Sequence, residues 1–257
     1  GSSNTLFKNF DDQIRNKIRK AESRGVEIIK GNHNDIKLFY TFVAKKHSRT
    51  LEYYQTFAKE FGDDFEIYFA KLNSEKYLQN IKKLYELEVT NNEKINLEIQ
   101  EKSMENKITN KLMNTKITSD KLLDTYKKEL IFASDLFAKN PSGVIIGATA
   151  IILDKNGVEL LIEGQNPEYA LYYPNYLTKW YIIEKYAKKG AVYFDLNAIT
   201  GYFADDSKYK GLNEMKLGYG AEVTEYIGEF DLVIKENAYK LYCKSKLFRN
   251  LIKRKTK

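Results

Sequence analysis

The 257-residue chain is 43% hydrophobic and 14% aromatic, a composition that folds and that long disordered segments lack. Its single cysteine, Cys243, excludes an internal disulfide and fits a reducing compartment. With only His33 and His47 beside it, a structural zinc site is not expected. The net charge of +7 gathers at the end: residues 235–257 hold nine Lys or Arg against one acid, Glu236, leaving the rest nearly neutral.

Gly1-Ser2-Ser3 reads as an expression scar and carries no fold information. Residues 11–24 read as a helix, with Ile14, Ile18 and Ala21 at helical spacing and Gly25 as its stop. A short strand follows at Val26–Ile29. Two helices, 36–46 and 50–61, flank His47-Ser48-Arg49, and "FEIYFAKL" (65–72) alternates like a strand. From Asp63 to Ser142 there is no glycine, and Pro141 is the only proline. Between 91 and 128 the chain is mostly Lys, Glu, Asn and Thr. Ile108, Leu112, Thr115, Ser119, Leu122 and Tyr126 there follow a degraded heptad. An antiparallel helical hairpin explains this stretch; a disordered insert is the alternative.

Two strands, "GVIIGATAIIL" and "GVELLIEGQ", are joined across Asp154-Lys155-Asn156-Gly157, whose Asn-Gly suits a hairpin turn. The longest apolar run, residues 143–153, falls short of the ~20 residues that cross a bilayer. No signal peptide is read, so a soluble protein is expected. Residues 176–188 form a helix stopped by Gly190, and "AVYFDLNAI" and "EVTEYIGEFDLVI" read as further strands. The basic tail places Leu241, Phe248, Leu251 and Ile252 roughly on one helical face. It either packs on the core with a solvated basic face or attracts a polyanion: tRNA, a nucleotide pyrophosphate or an anionic membrane. The order of elements is α+β on a mixed sheet.

The stretch "YFDLNAITGYFADDSKYKGLNEMKLGYGAEVTEYIGEFDLVI" (193–234) resembles the last third of the FemABX family, aminoacyltransferases that build peptidoglycan interpeptide bridges. The resemblance rests on Thr200-Gly201-Tyr202-Phe203, Tyr209 with Gly211, Met215-Lys216-Leu217-Gly218-Tyr219, and Glu225-Tyr226-Ile227-Gly228-Glu229-Phe230. "SRTLEYYQTF" is similar to the family's Arg-x-x-x-Tyr segment, and "IRNKIRKAESRGVEI" to the start of its second half. The inserted hairpin resembles the coiled-coil arm of the FemA-like branch.

The resemblance implies the second of two GNAT-type acyltransferase subdomains, in segments 4–73 and 137–257 around an arm at 74–136, with the first subdomain absent. It implies transfer of an amino acid from aminoacyl-tRNA to an amine of a stem peptide on a nucleotide- or lipid-linked muropeptide precursor. It brings no metal or redox cofactor, with aminoacyl-tRNA as co-substrate. The setting it implies is the cytoplasm, at the inner face of the membrane, with peripheral membrane contact and a protein partner for the arm.

An aminoacyl ester is already activated, so the absence of a Ser-His-Asp or Cys-His candidate suits this chemistry. What it needs is juxtaposition and a stabilised oxyanion. Lys216 matches the motif lysine and is assigned the catalytic role, the alternative being a surface lysine at a strand entrance. Gly218 and Gly220 after it are expected to let backbone approach a substrate. Arg49 and Tyr53 match positions that contact the nucleotide-sugar end, the alternative being a helix-surface pair. Met215 and Tyr219 replace family phenylalanines beside the substrate. Tyr169, with Tyr172, Tyr173 and Tyr176 around Pro167 and Pro174, lines the cleft or packs beneath a loop. Arg49 and Lys216 are expected to share one cleft. Two other readings are an acetyl-CoA-dependent acetyltransferase, for which no Gln/Arg-x-x-Gly-x-Gly/Ala loop opening a helix is found, and a non-catalytic module binding tRNA or a partner protein.

Overall fold

The computed structural model describes residues 3–46, 48–105, 107–201, 204, 208–225, 227–228 and 230–255, with side chains to residue 245. Two compact units result, Gly1–Ala221 and Glu222–Lys257.

The larger unit is organised by a five-stranded sheet in the order β1 (Val26–Lys30), β2 (Phe65–Leu72), β3 (Val144–Leu153), β4 (Gly157–Gln165) and β5 (Tyr193–Asp195). The first three pairings are antiparallel and β4–β5 is parallel, so the sheet is mixed. The α+β reading therefore holds. Strand β2 lies between β1 and β3 and is covered on both sides, so its alternation selects between two packed layers rather than between core and water. Phe65, Ile67 and Phe69 pack with Phe39 and Val43 of α3 (Ile36–Val43) and with Tyr54 and Ala58 of α4 (Leu51–Phe61). Tyr68, Ala70 and Leu72 face the other way. There they meet Ile14 and Ile18 of α2 (Asp12–Ser23) and Leu177, Ile182 and Tyr186 of α7 (Pro174–Lys188). A helix α1 (Ser3–Asn9), which the sequence reading lacks, sets Phe7 against Trp180 of α7, ring centroids 4.9 Å apart.

Gly164 of β4 lies against the Phe42 carbonyl, where a Cβ would stand 2.1 Å from the oxygen; only glycine lets α3 approach the sheet so closely. Helices α5 (Ser74–Met104) and α6 (Asn110–Lys139) form an antiparallel pair, each opened by a side-chain cap, Asn73 on Lys76 N and Thr109 on Leu112 N. The heptad reading of α6 holds only in part: Leu112 and Ser119 are buried, while Ile108 and Leu122 are exposed. Inside the pair, Asn92 donates to Ser119 and Asp120 at 2.9 and 2.8 Å, a polar knot that fixes register where apolar residues are sparse.

The chain departs from expectation after residue 190. Strand β5 keeps only three of the nine residues expected. Between the two expected strands, Lys210–Leu217 forms a helix, α8. Its Leu, Glu, Met and Lys are good helix formers, and Asn213 and Lys216, three apart, are its buried face. None of the described residues of 222–234 is in a strand. In the smaller unit, Glu222–Lys257, helix α9 spans Glu236–Lys255. The helical reading of the tail holds, but α9 falls in this unit instead of forming one segment with 137–221.

Candidate functional site

Lys216 stands in the last turn of α8 and is buried. Its Nζ donates to the carbonyls of Asn197 (3.1 Å) and Ala198 (2.6 Å). Three residues earlier, Asn213 donates through Nδ2 to Thr200 Oγ1 at 2.8 Å. Together they clamp the loop 197–200, in which Asn197 takes a left-handed conformation (φ 67°). The alternative reading, a surface lysine at a strand entrance, fails on both points, since Lys216 is buried and helical. Burial lowers the Lys216 pKa from the ordinary 10.5, as does the charge of Lys179; the Glu163 and Asp195 carboxylates oppose the shift.

The two glycines after it also do something other than expected. A Cβ on Gly218 would stand 2.7 Å from Ile14 Cγ1, and its carbonyl accepts from Asp11 N at 2.8 Å, so Gly218 lets the end of α8 close on α2. Gly220 takes φ 72° in the turn that follows. Tyr219 is buried between Phe10 and Tyr176, and its hydroxyl donates to the Tyr176 carbonyl at 3.0 Å. Its phenol pKa lies well above 10, raised by burial and then by the Glu163 charge. Met215 is half-buried against the same core.

This end of α8 joins a polar band between α7 and the sheet. Lys179 of α7, 1% exposed, pairs with Glu163 of β4. Across the strands, Glu163 is opposite Thr149 and Thr149 opposite Tyr68. Tyr68 and Tyr186 hydroxyls and the ammonium of Lys30 all donate to Glu66, which is buried. Its carboxyl is held at about 2: burial would raise it, but these donors and the Lys185 charge outweigh that. The Thr149 hydroxyl is buried without a hydrogen bond. Sequence reasoning missed this band. The available signal was an acid inside each of two expected strands, Glu66 in "FEIYFAKL" and Glu163 in "GVELLIEGQ".

Arg49 and Tyr53 lie on the opposite layer. The exposed Arg49 guanidinium sits over the Tyr53 ring, 5.0 Å from its centroid, and the Tyr40 hydroxyl donates to the Arg49 carbonyl. Thr50 caps α4 through Tyr53 N. An open groove of about 420 Å³ runs along this helix past Tyr53, Phe57 and Phe61, with Glu52 and Glu60 at its border. Beneath it, the Tyr54 hydroxyl is buried, with the Arg49 guanidinium as a polar neighbour. Burial raises its pKa, and the Arg49 charge works against that shift. Because α4 packs on the Phe65–Phe69 face and Lys216 on the α7 face, Arg49 and Lys216 do not share a cleft. The expectation of one cleft holding both fails.

Tyr169 packs against the α7-side core beside Tyr172 (5.8 Å), whose hydroxyl donates to Tyr77. Tyr77 in turn approaches Glu129, which is paired with Arg24. The aromatic loop thus packs on the base of the helical pair, the second of its two expected roles. His47, Tyr202, Phe203, Tyr226 and Glu229 of the motifs lie outside the described residues.

A helix-covered mixed sheet with an inserted helical pair, and a lysine closing one of its loops, defines a fold with solved counterparts. The chain superposes on the crystal structure of FemX with a TM-score of 0.67 at 18% identity, over 94% of this chain and 61% of that one. The FemAB family model matches residues 1–246, and the chain belongs to the FemAB family. It is 25% identical over 249 residues to a lipid II:glycine glycyltransferase of Staphylococcus haemolyticus, and 25% identical over 250 residues to an aminoacyltransferase FemA of Staphylococcus epidermidis. Those matches cover 93% and 94% of this chain, which spans 58% of the length of either relative.

Proposed function

We propose that this chain forms part of an aminoacyltransferase that moves an amino acid from aminoacyl-tRNA to an amine on the stem peptide of a peptidoglycan precursor. One observation carries the reading: the chain matches, almost end to end, a family in which similar proteins are named lipid II:glycine glycyltransferase and aminoacyltransferase FemA. The first of those names favours glycine as the transferred amino acid and a lipid-linked acceptor.

The acceptor nitrogen attacks the ester carbonyl, and the carbonyl electrons pass to oxygen. Collapse then breaks the bond to the ribose oxygen, which takes up a proton from solvent to leave as the hydroxyl, while the amine gives its extra proton to solvent. The barrier is lowered by holding the two substrates together and by a donor aimed at the oxyanion. Two Lys216 protons are given to backbone carbonyls; an ammonium has a third. In this proposal Lys216 fixes the 197–200 loop and offers that third proton, as a hydrogen bond, to the carbonyl oxygen as it becomes the oxyanion. Its lowered pKa makes it a readier proton donor than an ordinary lysine. Met215 and Tyr219 support it from behind. On the other layer, the Arg49 fork suits a phosphate group and Tyr53 a ring, with the Tyr54 hydroxyl as a further donor. That second place would hold a remote part of a long substrate. Aminoacyl-tRNA is the co-substrate and no other cofactor takes part.

The test is incubation with glycyl-tRNA labelled in glycine and with lipid-linked or nucleotide-linked precursor, reading label in the precursor. Label in the lipid-linked product is expected. Absence of transfer to either acceptor by folded full-length protein containing this chain would overturn the reading. Retention of tRNA on the protein without transfer would favour a binding module.

A further inference from the structure

The proposed function leaves the basic tail unused, and its chemistry stands apart from that reading. Helix α9, at 100° per residue, places positions 238, 241, 245, 248 and 252 within an arc of about 80°. They are Ala, Leu, Ser, Phe and Ile, without a charge among them. Lys244 and Lys255 border the arc on one side and Arg249 on the other. Leu241 is 71% exposed. In the same unit Ile227, Phe230, Leu232 and Ile234 leave 78–89% of their surface open to water. The one acid of α9, Glu236, is already paired with Lys240 at 2.7 Å, and the other acids of the unit, Glu222, Glu225, Glu229 and Asp231, precede the helix in the chain.

We propose that the 222–257 unit docks on an anionic lipid bilayer, with α9 lying in the interface plane. The apolar arc would enter the acyl boundary and the flanking Lys and Arg would meet lipid phosphates, their stems extended along the surface. None of the described helices is long and apolar enough to cross a membrane, so α9 lies on the surface and does not span it. RNA would also attract the charge, but a phosphate backbone gains nothing from exposed Ile, Leu and Phe side chains. A lipid surface uses both features.

The experiment is sedimentation of the whole chain with vesicles of phosphatidylcholine alone or with phosphatidylglycerol, in 0.1 M salt, beside bulk tRNA at equal phosphate. Binding to the phosphatidylglycerol vesicles only is expected. Each basic residue near such a surface contributes roughly fivefold, so Lys244→Gln with Arg249→Gln should weaken binding about 25-fold. Leu241→Ser with Phe248→Ser should weaken it at least about tenfold, since each removes a large apolar side chain from the lipid. Circular dichroism and thermal melting of each variant check that the larger unit is unchanged. Vesicle binding indifferent to the Leu241/Phe248 pair would overturn the proposal. So would equal binding to both vesicle types, tighter binding to tRNA than to vesicles, or no binding. These outcomes are separate from transfer activity, which the same protein would be tested for without membranes.

Discussion

The two helical layers pack on the same five strands but handle charge in opposite ways. On the α4 layer, Arg49 is exposed, stacked on Tyr53, beside an open groove. On the α7 layer, Glu66, Glu163, Lys179 and Lys216 are withdrawn from water and each is paired or hydrogen-bonded. An exposed cation contributes little to folding and is free to meet a ligand. A buried one is committed to the fold, and any chemistry it performs is inseparable from the loop it holds. Two cations, Arg49 and Lys216, each nominated from a motif match, thus take two different roles.

That contrast breaks most readily at Glu163. Glu163→Ala would leave Lys179 buried and unpaired, and we expect a loss of about 3–5 kcal/mol in urea unfolding. A loss under 1 kcal/mol would show that Lys179 finds water and that the band is not committed. Next comes Lys216→Met, which keeps the volume but releases two carbonyls. Turnover should fall by roughly two to three orders of magnitude, and stability by about 1–3 kcal/mol. Intact stability with lost turnover would make Lys216 a purely catalytic group; the reverse would make it purely structural.

Acid sharpens the comparison next. Glu66 titrates at about 2 folded and at an ordinary 4.5 unfolded. Its contribution is therefore complete above pH 4.5 and lost as pH falls toward 2. Unfolding free energy measured across that window should fall, and Glu66→Gln should flatten the fall. An unchanged slope would remove Glu66 from the account. Arg49→Ala should have the smallest effect on folding, within about 0.5 kcal/mol. It should still weaken binding of a nucleotide-linked precursor about tenfold or more, as loss of a charge-assisted hydrogen bond does. Unchanged affinity would leave Arg49 a helix-surface residue.

Much of the fold was legible because its signals are local. The apolar spacing Ile14–Ile18–Ala21 marks α2, and the Asn156-Gly157 turn joins β3 to β4. What the sequence hid was the destination of side chains. "FEIYFAKL" shows alternation, but not that the Glu66 and Tyr68 side is covered by α7. Lys216 was found by motif, while its burial depends on Asn197 and Ala198, 19 and 18 residues earlier, closing over it. Gly218 signalled close approach correctly, but Ile14 is what approaches. The expected strand at 222–234 had the right alternation, and alternation alone supplies no partner strand.

The most direct test of the central claim is a crystal structure with a non-hydrolysable analogue of the aminoacylated tRNA 3′ end. The account places the analogue's carbonyl oxygen within about 3 Å of Lys216 Nζ, with the 197–200 loop in place. An analogue bound along α4 beside Arg49, with Lys216 still buried beneath its two carbonyls, would contradict it.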